Sequence, residues 1–290
     1  MEVKKNIIIL SFFLFIFKIS ILKGETFLLI DKGKKILELK EGKKVIALYE
    51  IGLGLKSLIP KEKKGDFLTP EGIYRIVHIR ASEEYKYFLE LNYPNLNDLA
   101  LAYYKGLIKK EKFIKWMKKL ENFKVIENSP LGSKIGIHGG GAFKLERKNG
   151  VFYKNYYWTK GCIALNNNDL LKLLKYAKYG QKVFIINSQK RLYEIIKKFV
   201  YPTKIIPLEI FEGELYLKLN EYTYLNFHLI EHYQGLRKLI IKKWVRGALK
   251  EEIKSDETGS LLDSEKEEYF KKLIIENLED ILKPYKQLDL

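Results

Sequence analysis

Trp158-Thr159-Lys160-Gly161-Cys162-Ile163-Ala164-Leu165-Asn166 holds the only cysteine of the chain. Upstream, Ile135-Gly136-Ile137-His138-Gly139-Gly140-Gly141 sets a histidine between apolar residues and a run of glycines. A thiolate is the working nucleophile of cysteine chemistry and needs a base beside it, so Cys162 and His138 form the minimum kit for acyl transfer. Glycines lack Cβ atoms and let backbone come close to a substrate. On that logic the Gly161 and Cys162 amides face an oxyanion, and a glycine-loop carbonyl holds the imidazole tautomer. Thr159 then orients the loop. The competing reading is a packed small cysteine and a structural histidine, and one Cys with one His does not exclude it. A phosphate cradle is excluded, because the glycine run lacks the Gly-Lys-Ser/Thr continuation.

The N-terminus gives the lone thiol its context. Lys4 and Lys5 precede an unbroken apolar run, Ile7 to Phe17, followed by Lys18. A basic start and a short apolar core predict a secretory signal or an uncleaved anchor over residues 1–24, and therefore an envelope or periplasmic location. Outside the cytosol cysteines usually pair, and a single one cannot. The net charge of +17 rests on 53 cationic residues, of which only six are arginine. Lysine is a hydrated point charge, so this balance suits diffuse attraction to an anionic polymer or surface better than bidentate readout. No nucleic-acid motif accompanies it. Nearly half the residues are apolar, enough to bury a full core.

Along the chain, Thr26–Asp31, Lys35–Lys40 and Val45–Tyr49 are short runs parted by glycine turns and predict a β-meander. The loop Lys61–Asp66 reads as a solvated charge cluster. Thr69-Pro70-Glu71-Gly72 reads as a turn into a strand at Ile73–Val77. From Leu107 to Phe123, apolar residues and lysines alternate at helical spacing. The expectation is a helix packing its apolar face on its own domain, with an anionic surface as the other candidate. Asn167 or Asn168 can cap a helix that Gly180 stops, and Lys182–Ile186 is a final strand. A boundary is expected at Asn187–Ser188. Beyond it lie a helix at Leu192–Phe199, a strand near Phe211–Leu219, two amphipathic stretches and a loose polar stretch, Lys254–Glu268.

With the cysteine and histidine segments, further blocks point to one family. They are Gly65-Asp66-Phe67-Leu68-Thr69-Pro70-Glu71-Gly72-Ile73-Tyr74, Leu91-Asn92-Tyr93-Pro94-Asn95, Ser129-Pro130-Leu131-Gly132 and Gly161-Cys162-Ile163-Ala164-Leu165. In this order they resemble the L,D-transpeptidase (YkuD-type) catalytic domain of bacterial envelopes, over roughly Thr26 to Ile186. The resemblance implies an α+β, predominantly β fold over 25–187, with a smaller mixed or helical region over 188–290. It implies that Cys162 attacks the third-residue carbonyl of a peptidoglycan tetrapeptide stem and releases D-alanine. An acceptor amine then makes a crosslink or attaches a protein. His138 would be the general base, Gly161 part of the oxyanion hole and Thr159 an orienting residue; Gly139, Gly140, Lys160 and Ala164 would line the substrate. No metal, cofactor or nucleic acid is implied, and the membrane enters only through the N-terminal segment.

Two positions depart from the family pattern. Ala164 stands where many members carry Arg or Asn, which keeps an L,D-carboxypeptidase or an amidase that releases wall protein beside the transferase. Lys160 replaces a frequent histidine, and a cation there is expected to favour the thiolate. A non-catalytic wall-binding module is the reading from a different class. His228-Leu229-Ile230-Glu231-His232 has inverted zinc-protease spacing, but no segment offers a third ligand, so packing or surface histidines are expected.

Overall fold

The computed structural model describes residues 25–56, 59–121 and 125–282, so the expected signal or anchor lies outside the described residues. The first half is built on β1 (Thr26–Asp31), β2 (Ile36–Glu41), β3 (Lys44–Glu50), β4 (Gly72–Ser82) and β5 (Lys86–Leu91). Helices α1 (Leu96–Tyr104) and α2 (Lys110–Glu121) follow, then β6 (Gly136–His138), the hairpin β7 (Lys144–Lys148) and β8 (Val151–Asn155), and β9 (Ile163–Ala164). Helix α3 (Asn167–Leu174) leads to β10 (Lys182–Ile186). Eight of these strands form one sheet in the order β3-β2-β1-β10-β4-β5-β6-β9. The fold is α+β and predominantly β.

The apolar runs of β1 and β10 have a direct structural cause. They pair in parallel, Leu28 opposite Val183 and Ile30 opposite Ile185, and are buried on both faces. Such strands need apolar residues at every position instead of at alternate ones. Leu28, Ile30, Val183 and Ile185 face one core, while Phe27, Leu29, Phe184 and Ile186 face a second. The sheet's two ends also meet. The chain leaving β3 bridges to β9, with Gly52 N donating to Ala164 O at 2.8 Å and Ala164 N to Gly52 O at 2.9 Å.

Helix α1 begins at a capping box, in which the Asn95 side chain accepts from Asp98 N and the Asp98 carboxylate accepts from Asn95 N. Helix α2 turns Trp116 inward and stacks Phe113 on Tyr103, with ring centroids 5.2 Å apart. Its apolar face packs on its own domain, as expected. The 61–66 loop is different from its expectation. Lys61 is buried and donates to Asp66 at 2.7 Å, and the Asp66 carboxylate also accepts from the Glu62, Lys63 and Leu68 amides. Alternating charges there are a folded hydrogen-bonded loop, because Asp66 supplies acceptors for amides that would otherwise need water.

The second half carries α4 (Leu192–Ile196), β11 (Tyr201–Ile206), β12 (Ile210–Lys218), β13 (Thr223–His232), β14 (Arg237–Val245), β15 (Ala248–Lys254), α5 (Ser264–Glu276) and β16 (Ile281–Leu282). Its six strands make an antiparallel sheet, so this region is mixed and mostly β. The inner residues Phe211, Leu215, Phe227, Leu229 and Ile241, together with α4 and α5, share the second core with Phe27, Leu29 and Phe184. The stretch Lys254–Glu268 is ordered where looseness was expected. Asp256 accepts from Thr258 N and Ser260 N, Asp263 caps α5, and Glu267 accepts from Leu192 N on α4. Its polar side chains are spent on backbone amides. Among the described residues no helix is long and apolar enough to cross a membrane.

Candidate active site

Strands β6 and β9 pair in parallel, with Ile137 opposite Ile163 and His138 opposite Ala164. Cys162 stands immediately before β9, so this pairing brings it next to the strand that carries His138. Ile137 and Ile163 fill the core. The register thus joins the two segments that the sequence keeps twenty-odd residues apart.

His138 is buried at 4% exposure. Its Nδ1 lies 2.6 Å from Gly139 O, and since a carbonyl only accepts, Nδ1 carries the proton and Nε2 keeps its lone pair. Burial holds its pKa below the usual histidine value, against the pull of that carbonyl. The ring is therefore a neutral base at neutral pH. Around it stand Tyr85 at 4.3 Å, Phe88 at 6.2 Å and Trp158, edge-on, at 6.2 Å between centroids.

Cys162 is half-buried and free. Its thiol donates to Lys134 O over 3.7 Å. Burial pushes its pKa up, while the Gly136 backbone and the Lys61 ammonium pull weakly the other way. Lys160, expected to favour the thiolate, is exposed, and the shift runs toward the neutral thiol. The resting site holds a neutral thiol and a neutral imidazole.

The loop around Cys162 is fixed by close backbone packing. Thr159 Oγ1 donates to Cys162 O at 2.7 Å and accepts from Gly161 N at 3.2 Å. The Gly161 amide, expected at an oxyanion, is thus already engaged, and the Cys162 amide is the less committed donor. Gly161 has φ +112°, and a Cβ there would lie 2.7 Å from Leu68 O. A Cβ on Gly54 would collide with the Phe67 carbonyl and lie 3.0 Å from Gly161 Cα. Only glycine fits either place.

Gly139 is buried and donates to Tyr85 O, so it supports His138 and offers no open surface. Gly140 is half-exposed and donates to Asn167 Oδ1 at 2.9 Å. Asn166 Oδ1 accepts from Ala142 N at 3.1 Å. Asn167, one of the two expected helix caps, therefore braces the glycine loop with Asn166, and Asn166, at the cap position of α3, makes no side-chain cap bond. Ala164 is fully buried and its backbone is committed to Gly52, so it floors the site without touching a ligand. Tyr85, Trp158, Asn166 and Lys61 were not legible as site residues. Only Trp158, adjoining the motif, carried a signal that could have found it.

The His-x-x-Glu-His segment lies on β13, where His228 and His232 share one face and Glu231 takes the other. Glu231 is buried against Lys197 and Tyr193, and His228 pairs with Glu212 at 2.6 Å. The three side chains do not converge.

The L,D-transpeptidase catalytic domain (YkuD) family matches residues 25–185, more than half of the chain. The chain belongs to that family. It is similar in structure to an L,D-transpeptidase from Xylanimonas cellulosilytica, with 15% identity, TM-score 0.32, and coverage of 56% of this chain and 61% of that one. A mutant L,D-transpeptidase of Enterococcus faecium shows 12% identity, TM-score 0.33, and coverage of 56% and 50%. One from Mycobacterium smegmatis shows 10% identity, TM-score 0.31, and coverage of 56% and 58%. The chain thus spans about half to three-fifths of the length of these three proteins. No curated protein matches the chain in sequence.

Proposed function

We propose that the chain is a peptidoglycan-modifying L,D-transpeptidase of the cell envelope, using Cys162 as nucleophile and His138 as general base. The observation that carries this reading is the β6–β9 pairing, which brings the residue after Cys162 alongside the strand that ends in His138. Tyr85 stands against the same histidine, its ring tilted on that of His138 with centroids 4.3 Å apart.

As Cys162 Sγ attacks the third-residue carbonyl carbon of a tetrapeptide stem, its proton passes to His138 Nε2 and the C–S bond forms. The carbonyl electrons move onto oxygen, facing the Cys162 amide, with the Gly161 amide shared with Thr159 as the weaker donor. Collapse breaks the C–N bond, and His138 returns the proton to the departing D-alanine amine. An acceptor amine then attacks the thioester, giving a crosslink or an attached protein, and its proton returns by way of His138 to the sulfur. Water in place of the amine makes a carboxypeptidase. Ala164 favours keeping that second reading, because the buried methyl gives an acceptor no polar group at this position.

Incubation of the purified protein with tetrapeptide muropeptides, with and without an acceptor amine, tests both. Crosslinked dimers are expected with the amine and free D-alanine in either case; Cys162→Ala should abolish both. His138→Gln should lower kcat by about 10²- to 10⁴-fold, the usual worth of a general base. The absence of both products would leave a wall-binding module, and full activity in Cys162→Ala would show that Cys162 is not the nucleophile.

A further inference from the structure

The strongest unexplained feature away from the thiol is a buried chain of charges entering from the second half of the molecule. Lys190 Nζ donates to Glu71 Oε2 at 2.7 Å, and Lys32 Nζ donates to Glu71 Oε1 at 2.9 Å. The three side chains are between 2% and 8% exposed, so water cannot share the load. Lys32 also donates to Thr69 O at 2.7 Å, and Thr69 Oγ1 accepts from Gly54 N at 2.9 Å. Gly54 lies against Gly161 with no space for a Cβ, and Leu68 closes on Gly161 from its own side. Every link from Lys190 to the residue before Cys162 is therefore a short hydrogen bond or a backbone contact.

Stability alone is a poor explanation for such a cluster. Buried ion pairs roughly break even against well-packed apolar residues, while their directional bonds fix geometry. Lys190 also lies beyond residue 185, where the family match ends. A second lysine of the same region, Lys198, is buried near Asp98 and Glu71, whose charges act on it.

We infer that Lys190 is a positioning residue for Cys162, acting through Glu71, Lys32, Thr69 and Gly54. The region after residue 187 is then part of the active-site wall. The buried carboxylate of Glu71 needs both cations, and it in turn holds Lys32 on the Thr69 carbonyl. With one removed, the segment 67–69 loosens from Gly161 and water reaches the thiol.

Full-length Lys190→Met, which keeps the aliphatic stem, and Lys190→Arg, which keeps the charge, test this. Near-UV dichroism and melting establish folding first. The function-independent arm is the pH dependence of Cys162 alkylation by iodoacetamide. In Lys190→Met its midpoint should move down toward that of an ordinary thiol, and in Lys190→Arg it should move back toward the wild-type value. The second arm rests on the proposed reaction: D-alanine release should lose at least about tenfold in kcat with KM little changed, the pattern of a misplaced reacting group. A folded Lys190→Met with the wild-type alkylation midpoint overturns the inference. So does loss of folding in both Lys190→Met and the milder Lys190→Gln, which would make Lys190 a stabilising residue only. If the wild type itself releases no D-alanine, the proposed reaction fails, and the alkylation arm still decides the role of Lys190.

Discussion

At Cys162 the protein works against the reactivity proposed for it. An ordinary thiol has a pKa near 8.5, and burial pushes this one up. Slow alkylation at neutral pH is thus the expected behaviour of the intact enzyme, and an alkylation midpoint at or below an ordinary thiol's would contradict the structure. His138 moves the other way, with burial keeping it neutral. The imidazolium cannot accept a proton, so turnover should fall only as pH drops below the usual histidine value of about 6.5 and stay level to pH 8. A kcat profile with its acid limb above pH 7 would show that another group is the base. The pair itself was legible from one cysteine, one histidine and their glycines. Tyr85, Asn166 and Lys61 were not, because their roles arise from contacts across the sheet to which no local pattern is tied.

Among the elements, strands with unmixed apolar composition were readable, and so was the helix with clear amphipathic spacing. Helix α1 was missed, although Asn95 and Asp98 form its capping box, since the preceding proline block drew the reading to extended chain. Strands β13 and β14 were not assigned from sequence, because apolar residues such as Ile230 and Ile240 also stand on the outer face and blur the alternation. The segment 67–69 sits directly on the nucleophile loop, so a methyl added between them should be costly. Gly54→Ala should lose about 1–3 kcal/mol of stability, the usual cost of overpacking, measurable by urea denaturation. An unchanged denaturation midpoint would mean that the Phe67 carbonyl yields freely.

For the whole molecule, the boundary near Asn187 is a boundary in sequence more than in packing. Phe211, fully buried on β12, belongs to the same core as Phe27 and Phe184 of the eight-stranded sheet. Phe211→Ala should therefore cost about 3–5 kcal/mol, and calorimetry of the wild type should show a single transition. Two separated transitions would mean that the halves are energetically independent. The buried Lys197, Glu231 and Tyr193 network, with Arg237 beside it, reinforces that core from the second half.

The bridge between Gly52 and Ala164 has a consequence in time. It joins the two ends of the sheet, and loop entropy must be paid before such distant pairings return anything, so contacts of this kind form late. The pocket that mutes Cys162 needs the 52–54, 67–69, 134–139 and 158–164 segments together. A chain still folding consequently carries an ordinary, exposed sulfur, open to oxidation, until the ring shuts. Refolding yield should thus depend on reductant in its early phase and become indifferent to it once the sheet has closed.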